Sequence, residues 1–256
     1  MPKRIAATKR LATSTLKEIG SYIGAGALYP LGLFEKLPET LKHSRKAPNP
    51  RPILLVHGIV HNRSAFMAVE RRLGQLKWVN VYTHNYNTLS GGIFQMMENL
   101  DTKIDQMIER TGSSQVDVIA HSLGGIVART YMTVGKGRGK VRHLVTLGTP
   151  HQGTNMSFIA RGLNIGTLAQ DLRCGSYLLD LLRHTALPKG CSVTSIYSPF
   201  DWTCSPGENG AAIGLPTTAF RNVQLEGIGH ARLLFSQESF DHVVQSLVSA
   251  DRSLVK

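Results

Sequence analysis

One serine lies in a motif that is typical of nucleophilic serines, between a predicted strand and a predicted helix. Residues 118–125 (VIAHSLGG) run from an apolar, β-branched stretch directly into a helical pattern. They match a G-x-S-x-G elbow in which Ala120 replaces the first glycine. Small residues are needed two positions before and after Ser122, because bulk in this tight, strained turn would collide with neighbouring backbone. The pattern predicts that Ser122 is a nucleophile raised above a sheet.

A serine hydroxyl is a weak nucleophile, so the chemistry also needs a base and an acidic residue that orients the base. After a nucleophile elbow, the acid and then the histidine follow along the chain, each in the loop after a later strand. The apolar runs 192–197 and 222–226 predict two such strands, and the loops after them carry Asp201 and His230. We therefore predict a catalytic triad of Ser122, Asp201 and His230.

Other histidines and carboxylates are alternative candidates for the base and the acid. His151 follows a predicted strand, where it could act as the base or contact the catalytic residues without taking part in the reaction. His242 lies within the C-terminal helical pattern. Asp171 and Asp180 lie in the long interval after the fourth predicted strand and could supply the acid. Asp117 lies inside the strand that precedes the serine, so we expect its side chain to point away from the site.

Acyl transfer also requires two N–H donors for the negative charge that develops on the carbonyl oxygen. One donor is predicted to be the backbone N–H of Leu123, directly after the nucleophile, and the other to come from the loop after the first strand. In that loop Gly58 permits an unusual backbone turn, and Ile59 is the predicted second donor. We expect His57 to stabilise the loop by hydrogen bonding without transferring a proton; an ordinary strand-ending turn is the alternative.

The elements that must position these residues follow an alternation of short β-branched runs and amphipathic stretches, which predicts an α/β fold with a parallel sheet. Six strands are predicted, at 53–56, 78–83, 115–120, 141–147, 192–197 and 222–226. Helices are predicted near 64–76, 92–111, 123–134 and 236–249. The interval from about 150 to 190 contains apolar pairs without a strand. We predict that it forms a small helical cap over the ligand site, with its apolar residues facing an acyl chain.

The first 51 residues are predicted to form a separate N-terminal arm and linker, ahead of an α/β domain at 52–256. A proline-rich stretch at 47–52 ends the arm. Within the arm an amphipathic helix is predicted, lying on a membrane or on the body of the protein; its apolar positions are Leu16, Ile19, Tyr22, Ile23 and Ala27. A cleaved secretory signal is the alternative, because basic residues precede an apolar stretch that contains an A-x-A site.

Composition and charge restrict the function classes. The chain has 256 residues, 42% of them hydrophobic and 18% charged, which fits one folded enzyme-sized domain and excludes disorder as its main state. The net charge of +12 divides into +7 over residues 1–51 and +5 over the remainder. The positive charge is expected to keep the protein soluble, and contact of the basic arm with an anionic membrane surface is the alternative. No nucleic-acid partner is expected, because no binding motif occurs and only 7% of residues are aromatic.

The three cysteines, Cys174, Cys191 and Cys204, have no C-x-x-C spacing, so we predict no metal site and no cofactor. Cys191 and Cys204 bracket a predicted strand and its loop, so they could pair in an oxidising compartment. Buried free thiols are the favoured interpretation. We expect a cytoplasmic or peripheral membrane location and leave secretion open.

Residues 52–249 resemble the small bacterial triacylglycerol lipases that carry an A-x-S-x-G box, within the α/β-hydrolase superfamily. The resemblance rests on five segments, 55–59 (LVHGI), 118–125 (VIAHSLGG), 147–154 (LGTPHQGT), 194–201 (TSIYSPFD) and 227–234 (GIGHARLL). It implies a minimal α/β-hydrolase fold and hydrolysis of a hydrophobic ester through an acyl-enzyme. It also implies Ser122, Asp201 and His230 as the triad, with Ile59 and Leu123 as oxyanion donors.

The resemblance leaves several functions open. The same scaffold and triad support an acyltransferase, a phospholipid deacylase or a polyester depolymerase. An inert membrane- or partner-binding protein with a hydrolase fold is a further alternative. The predicted cap and the basic arm both lie outside the pattern of the smallest lipases, and no calcium site of the larger lipases can be carried over.

Overall fold

A computed structural model describes residues 2–33, 51–154, 166–204 and 219–252 of the chain. Most of the predicted linker (34–50), part of the predicted cap (155–165) and the segment 205–218 lie outside the described residues. All three predicted triad residues and both predicted oxyanion donors are described.

The described residues form one parallel sheet of six strands, in the order β2-β1-β3-β4-β5-β6. The strands are β1 (Ile53–Val56), β2 (Val81–His84), β3 (Val116–His121), β4 (Val141–Leu147), β5 (Ser192–Tyr197) and β6 (Phe220–Gln224). Every neighbouring pair is parallel. Because parallel strands all point the same way, the loops after them gather at one edge of the sheet.

Seven helices accompany the sheet in the described part of the chain. They are α1 (Pro2–Leu33), α2 (Met67–Gln75), α3 (Ile93–Thr111), α4 (Leu123–Thr133), α5 (Gly166–Asp171), α6 (Tyr177–His184) and α7 (Gln237–Arg252). Short 3₁₀ turns occur at Arg63–Phe66 and Ala231–Leu234. This architecture confirms the predicted α/β class with a six-stranded parallel sheet.

Three strands differ from the prediction in their boundaries: β3 is shifted by one residue, and β2 and β6 begin two or three residues from the predicted position. β2 begins at Val81 and not at residue 78, because the Trp78 N–H closes the end of α2 by donating to the Leu73 carbonyl. Lys77 makes this turn possible by adopting a left-handed φ of +67°. β6 begins at Phe220, two residues earlier than predicted, because its pairing with β5 starts at Val193.

The core lies on both faces of the sheet, as expected when parallel strands are covered by helices on each side. Alternate residues of β1 enter opposite faces: Leu54 and Val56 belong to one buried cluster, Ile53 and Leu55 to the other. The first cluster includes the apolar stripes of α3 and α4. The second includes residues of α2 and α7.

The described part of the insertion after β4 is helical, but its leucines do not serve the purpose that we predicted for them. Leu168 of α5 and Leu178 and Leu182 of α6 are buried in the same cluster as α3 and α4. Asp171, at the end of α5, accepts a hydrogen bond from the Ile93 N–H at the start of α3. These helices therefore extend the core along one flank of the sheet, and these three leucines are not available as an acyl-facing surface.

The N-terminal segment is helical, as predicted, and packs on the body of the protein. Its contacts are with Asn62 after β1, Thr203 after β5 and Ala231 after β6, so α1 lies across the loop edge of the sheet. The predicted apolar stripe does not face inward, however, since Leu16 is 70% and Ile23 67% exposed. Within the described residues, none of the helices is long and apolar enough to span a bilayer.

Cys191 and Cys204 are both free, buried thiols, which is the interpretation that the sequence favoured over pairing. Their Sγ atoms contact the carbonyl oxygens of Val141 and Gly148, at opposite ends of β4. Seven residues of strand separate those carbonyls by about 20 Å, whereas bonded cysteines have Cα atoms about 6 Å apart.

Candidate active site

The predicted nucleophile occupies a strained turn between β3 and α4. Ser122 has φ +54° and ψ −126°, a conformation that costs a non-glycine residue about 1–3 kcal/mol. Position 124 requires a glycine because the backbone of the loop after β1 approaches it closely. A Cβ on Gly124 would lie 2.5 Å from the His57 carbonyl oxygen. The Ser122 carbonyl accepts hydrogen bonds from the Gly125 N–H and the Thr149 hydroxyl. The turn is therefore held from both sides.

Asp201 and His230 form a buried pair beside this turn. Asp201 Oδ2 lies 2.6 Å from His230 Nδ1. The other carboxylate oxygen, Oδ1, accepts the backbone N–H groups of Thr203 and Cys204, each at 3.0 Å. Gly148 packs against the pair, and a Cβ there would lie 2.8 Å from Asp201 Oδ2 and 3.0 Å from His230 Nδ1. The carboxylate is thus fixed with one oxygen on the imidazole.

The electrostatics of the pair favour a histidine that readily accepts a proton. Burial by itself lowers the pKa of His230, but the negative charge and the hydrogen bond of Asp201 outweigh it. The nearby carboxylate of Glu18 acts in the same direction, so the net pKa of His230 lies above its ordinary value. A histidine with a raised pKa is a stronger base, as a proton acceptor for a serine must be.

Ser122 and His230 line one cavity at the loop edge of the sheet, with a volume of about 390 Å³. Gly58 and Ile59, from the loop after β1, line the same cavity. Leu123 follows Ser122 directly as the first residue of α4. The structure therefore brings all the sequence-predicted site residues, including both expected oxyanion donors, to one region.

The loop after β1 is stabilised through His57, in the manner that the sequence predicted. The His57 ring stacks on Tyr86 with 4.5 Å between ring centroids, and Nδ1 lies 2.9 Å from the Gly58 carbonyl oxygen. The Tyr86 hydroxyl donates to the His57 carbonyl at 2.7 Å. Burial lowers the pKa of His57 to about 4, so it stays neutral at pH 7 and orders the loop that carries Ile59.

The alternative candidates have other partners. His151 lies between Arg129 and the Thr146 hydroxyl. Asp117, at the start of β3, forms a buried, bidentate ion pair with Arg142 of β4. Asp171 is bonded to the N-terminus of α3, as described above. Asp180 lies 3.9 Å from Arg183 on α6, and His242 is half-buried on α7.

Two residues of α1 belong to the site, and sequence analysis missed both roles. The Glu18 carboxylate accepts the N–H groups of Ala231 and Arg232, at 2.8 and 3.1 Å, directly after His230. The Tyr22 hydroxyl is 2.9 Å from that of Thr203. Their spacing of four residues placed both on one face of the predicted helix, but nothing in the local pattern indicated which loops that face would meet.

The contact of Cys204 with the site was also missed, since the sequence indicated only whether its thiol is paired or free. Its Sγ donates to the Gly148 carbonyl at 2.9 Å and lies 3.6 Å from His230 Nδ1. Asp201, Cys204 and His230 are the one group among the described residues whose ligand atoms are close enough to hold a metal ion. Burial raises the pKa of the Cys204 thiol well above its ordinary value, which disfavours the thiolate that binds metals. Metal binding there would also compete with the Asp201–His230 hydrogen bond.

Comparison with solved structures establishes the class of fold. The mature lipase BlEst2 of Bacillus licheniformis is 16% identical, with a TM-score of 0.61 over 77% of this chain and 92% of that one. A carboxylesterase structure from Nitrososphaera gargenis is 15% identical, with a TM-score of 0.58 over 83% and 94%. A monoacylglycerol lipase of Paleococcus ferrophilus is 14% identical, with a TM-score of 0.59 over 78% and 96%. The protein has the α/β-hydrolase fold.

Residues 32–179 match a protein family described as Domain of unknown function (DUF7379). The match covers more than half of the 256 residues, and the chain belongs to this family.

Proposed function

We propose that the protein is a serine carboxylester hydrolase, a lipase or esterase, that cleaves acyl esters of hydrophobic substrates through an acyl-enzyme. The observation that carries the proposal is the Asp201–His230 pair, joined at 2.6 Å and opening on the same cavity as Ser122. Similar structures named as lipases and carboxylesterases support this chemistry. The strained conformation of Ser122 supports it independently, because strain of this kind concentrates at functional sites.

In the proposed mechanism His230 takes the proton of Ser122 through Nε2 as the serine Oγ attacks the ester carbonyl carbon. Asp201 holds Nδ1–H and stabilises the imidazolium that forms. The tetrahedral intermediate then collapses, and His230 protonates the departing alcohol. Water enters, loses a proton to His230 and attacks the acyl-enzyme, which releases the acid and restores Ser122.

The oxyanion would be held by the backbone N–H groups of Ile59 and Leu123. Three features support this assignment. Leu123 begins α4, whose N-terminal N–H groups favour negative charge. Ile59 lines the cavity that contains Ser122, and its loop is fixed by His57 and Tyr86. Donors fixed in advance stabilise the transition state without reorganisation.

The hydrolase assignment is tested with a fluorophosphonate and a panel of p-nitrophenyl esters. We expect turnover of the esters, with one equivalent of label on the peptide that contains Ser122 and loss of turnover in proportion to labelling. Adding short alcohols distinguishes an acyltransferase, which would make the new ester in preference to the free acid. Absence of turnover for every ester, together with no label on Ser122, would show that the proposal is wrong.

Glu18 is proposed as a positioning residue for His230. Its carboxylate accepts the two N–H groups after His230, and its charge contributes to the raised pKa of His230. The reaction needs neutral His230, so activity rises as pH rises through this pKa. In Glu18→Gln the loss of negative charge should move the acid limb of the pH profile of kcat/KM to lower pH. The turnover should also fall about tenfold at pH 8, because one amide oxygen replaces two acceptors.

The matched control for Glu18 is Glu70→Gln. Glu70 is also a partly buried carboxylate whose pKa is raised by burial, but it lies on α2. Its variant should keep the wild-type pH profile. An acid limb that stays in place in Glu18→Gln would contradict the electrostatic role of this residue.

We also propose that α1 brings the protein to anionic membrane surfaces. Residues 1–51 carry a net charge of +7. Leu16 and Ile23 of α1 have exposed side chains, and so does Trp202 in the loop after β5. Basic residues near a membrane of negative lipids contribute about 1 kcal/mol each, and exposed apolar side chains insert at the interface.

Flotation with vesicles of phosphatidylcholine, with and without phosphatidylserine, tests this contact. We expect binding to the anionic vesicles that weakens as salt rises, and a loss of at least about tenfold in Leu16→Glu combined with Ile23→Glu. The control combines Leu76→Glu with Val248→Glu, which replaces exposed apolar residues at the end of α2 and on α7. Equal binding of both double variants would contradict the proposal.

A further inference from the structure

A second cavity lies beneath α1, beside the cavity that contains Ser122. Its volume is about 460 Å³, compared with about 390 Å³ for the cavity of the proposed reaction. Ile19 forms part of the α1 wall, and Phe200 and Trp202, from the loop after β5, form the facing wall. A volume of this size is in the range of small-molecule sites.

The two cavities adjoin at Tyr22 and Thr203, which line both of them. A single hydrogen bond of 2.9 Å between the two hydroxyl groups lies at this junction. A hydrogen bond between two neutral, partly exposed hydroxyls contributes little to stability, whereas burying several methylene groups contributes much more. An apolar chain that extends from Ser122 can therefore separate Tyr22 from Thr203 and enter the second cavity.

The lining determines which chemical class fits. Ile19, Phe200 and Trp202 offer aliphatic and aromatic surface. Glu18 also borders the cavity, and its carboxylate is engaged by two backbone N–H groups. A free negative charge in the cavity would be repelled by Glu18, so the geometry favours an uncharged hydrocarbon chain over a fatty-acid carboxylate or a phosphate.

We propose that the second cavity binds an aliphatic chain of the substrate ester, so that the N-terminal helix sets the preference for chain length. This inference rests on the proposed ester hydrolysis and goes further by naming the part of the molecule that selects the substrate. The chain can belong to the acyl group or to the alcohol, and two substrate series separate these sources.

The kinetic test fills the cavity with Ile19→Trp and uses Ile23→Trp as the matched control on the next turn of α1. Ile23 is 67% exposed and is not among the described residues that line either cavity. We compare kcat/KM for p-nitrophenyl decanoate and butyrate, and for decyl and butyl acetate. The ratio of long to short substrate should fall at least about tenfold in Ile19→Trp in one series, and that series identifies the chain. Ile23→Trp should keep the wild-type ratios.

A binding measurement with the inactive variant Ser122→Ala does not depend on turnover. The protein has two tryptophans; Trp78 is buried, and Trp202, in the cavity wall, is 72% exposed. Adding 1-decanol should shift the emission of Trp202 to shorter wavelength, and the shift should be lost when Trp202→Phe is added. This measurement also keeps the proposal testable if Ile19→Trp fails to fold.

The outcomes separate the cavity from the proposed reaction. Equal substrate ratios in the wild type, Ile19→Trp and Ile23→Trp, together with unchanged Trp202 emission, would overturn the cavity proposal and leave ester hydrolysis intact. Failure of every ester to react would instead count against the proposed function, and the fluorescence of Ser122→Ala would then decide whether an aliphatic chain binds.

Discussion

Replacing Ser122 with alanine should reduce ester turnover by about 10⁶-fold, to the limit of detection, because no other group at the elbow can form the acyl-enzyme. The variant should fold normally. The Ser122 backbone conformation is retained by an alanine, and the carbonyl bonds to Gly125 and Thr149 do not involve the side chain. Turnover of p-nitrophenyl butyrate and thermal unfolding measure the two quantities.

Two further variants make this prediction sharper. Ser122→Gly should be equally inactive but more stable than alanine by about 1 kcal/mol, because glycine relieves the strain of a φ of +54°. Ser90→Ala removes an exposed serine hydroxyl away from the site and should keep full activity. Activity of Ser122→Ala within tenfold of the wild type would rule out the serine as nucleophile.

Replacing Asp201 with asparagine should lower kcat by about 10⁴-fold. The backbone N–H groups of Thr203 and Cys204 both point at Oδ1, so they would hold the amide oxygen in that place. The amide NH₂ then faces His230 Nδ1, which must accept instead of donate. The proton of the neutral ring is then on Nε2, the nitrogen that should accept the proton of Ser122. His230 can therefore no longer act as the base.

The pH profile gives a second readout of the same variant. Asp201 is the group that outweighs burial and raises the pKa of His230, so the acid limb of the residual activity should move to lower pH. Asp241→Asn, at an exposed position of α7, is the control and should change neither quantity. Loss of less than tenfold in Asp201→Asn would show that another residue orients the base.

The predictable part of the site is the part that local patterns encode. The elbow around Ser122 needs an apolar strand, small flanking residues and a helix within a short stretch of chain, and all three are visible in sequence. Asp201 and His230 could be placed because each follows a strand whose direction is set by the parallel sheet. The structure brings them to 2.6 Å of each other.

The part that could not be predicted depends on contacts between segments that are remote along the chain. The hydrogen bond from the Ala231 N–H to Glu18 joins residues 213 positions apart. The helical period of α1 shows which residues share a face, but Leu16 and Ile23 turned outward while Glu18 and Tyr22 met the body.

Local sequence patterns suffice for the alternation of strands and helices and for the loops that carry Ser122, Asp201 and His230, because hydrophobic period and turn chemistry act over a few residues. The segment that lies over the site could be identified only in the folded chain. Leu168, Leu178 and Leu182, in the described part of the insertion, are buried beside α3 and α4, and α1 lies across the loop edge. Burial of an apolar face is favourable against any complementary apolar surface. Which surface it meets therefore depends on the complete folded structure.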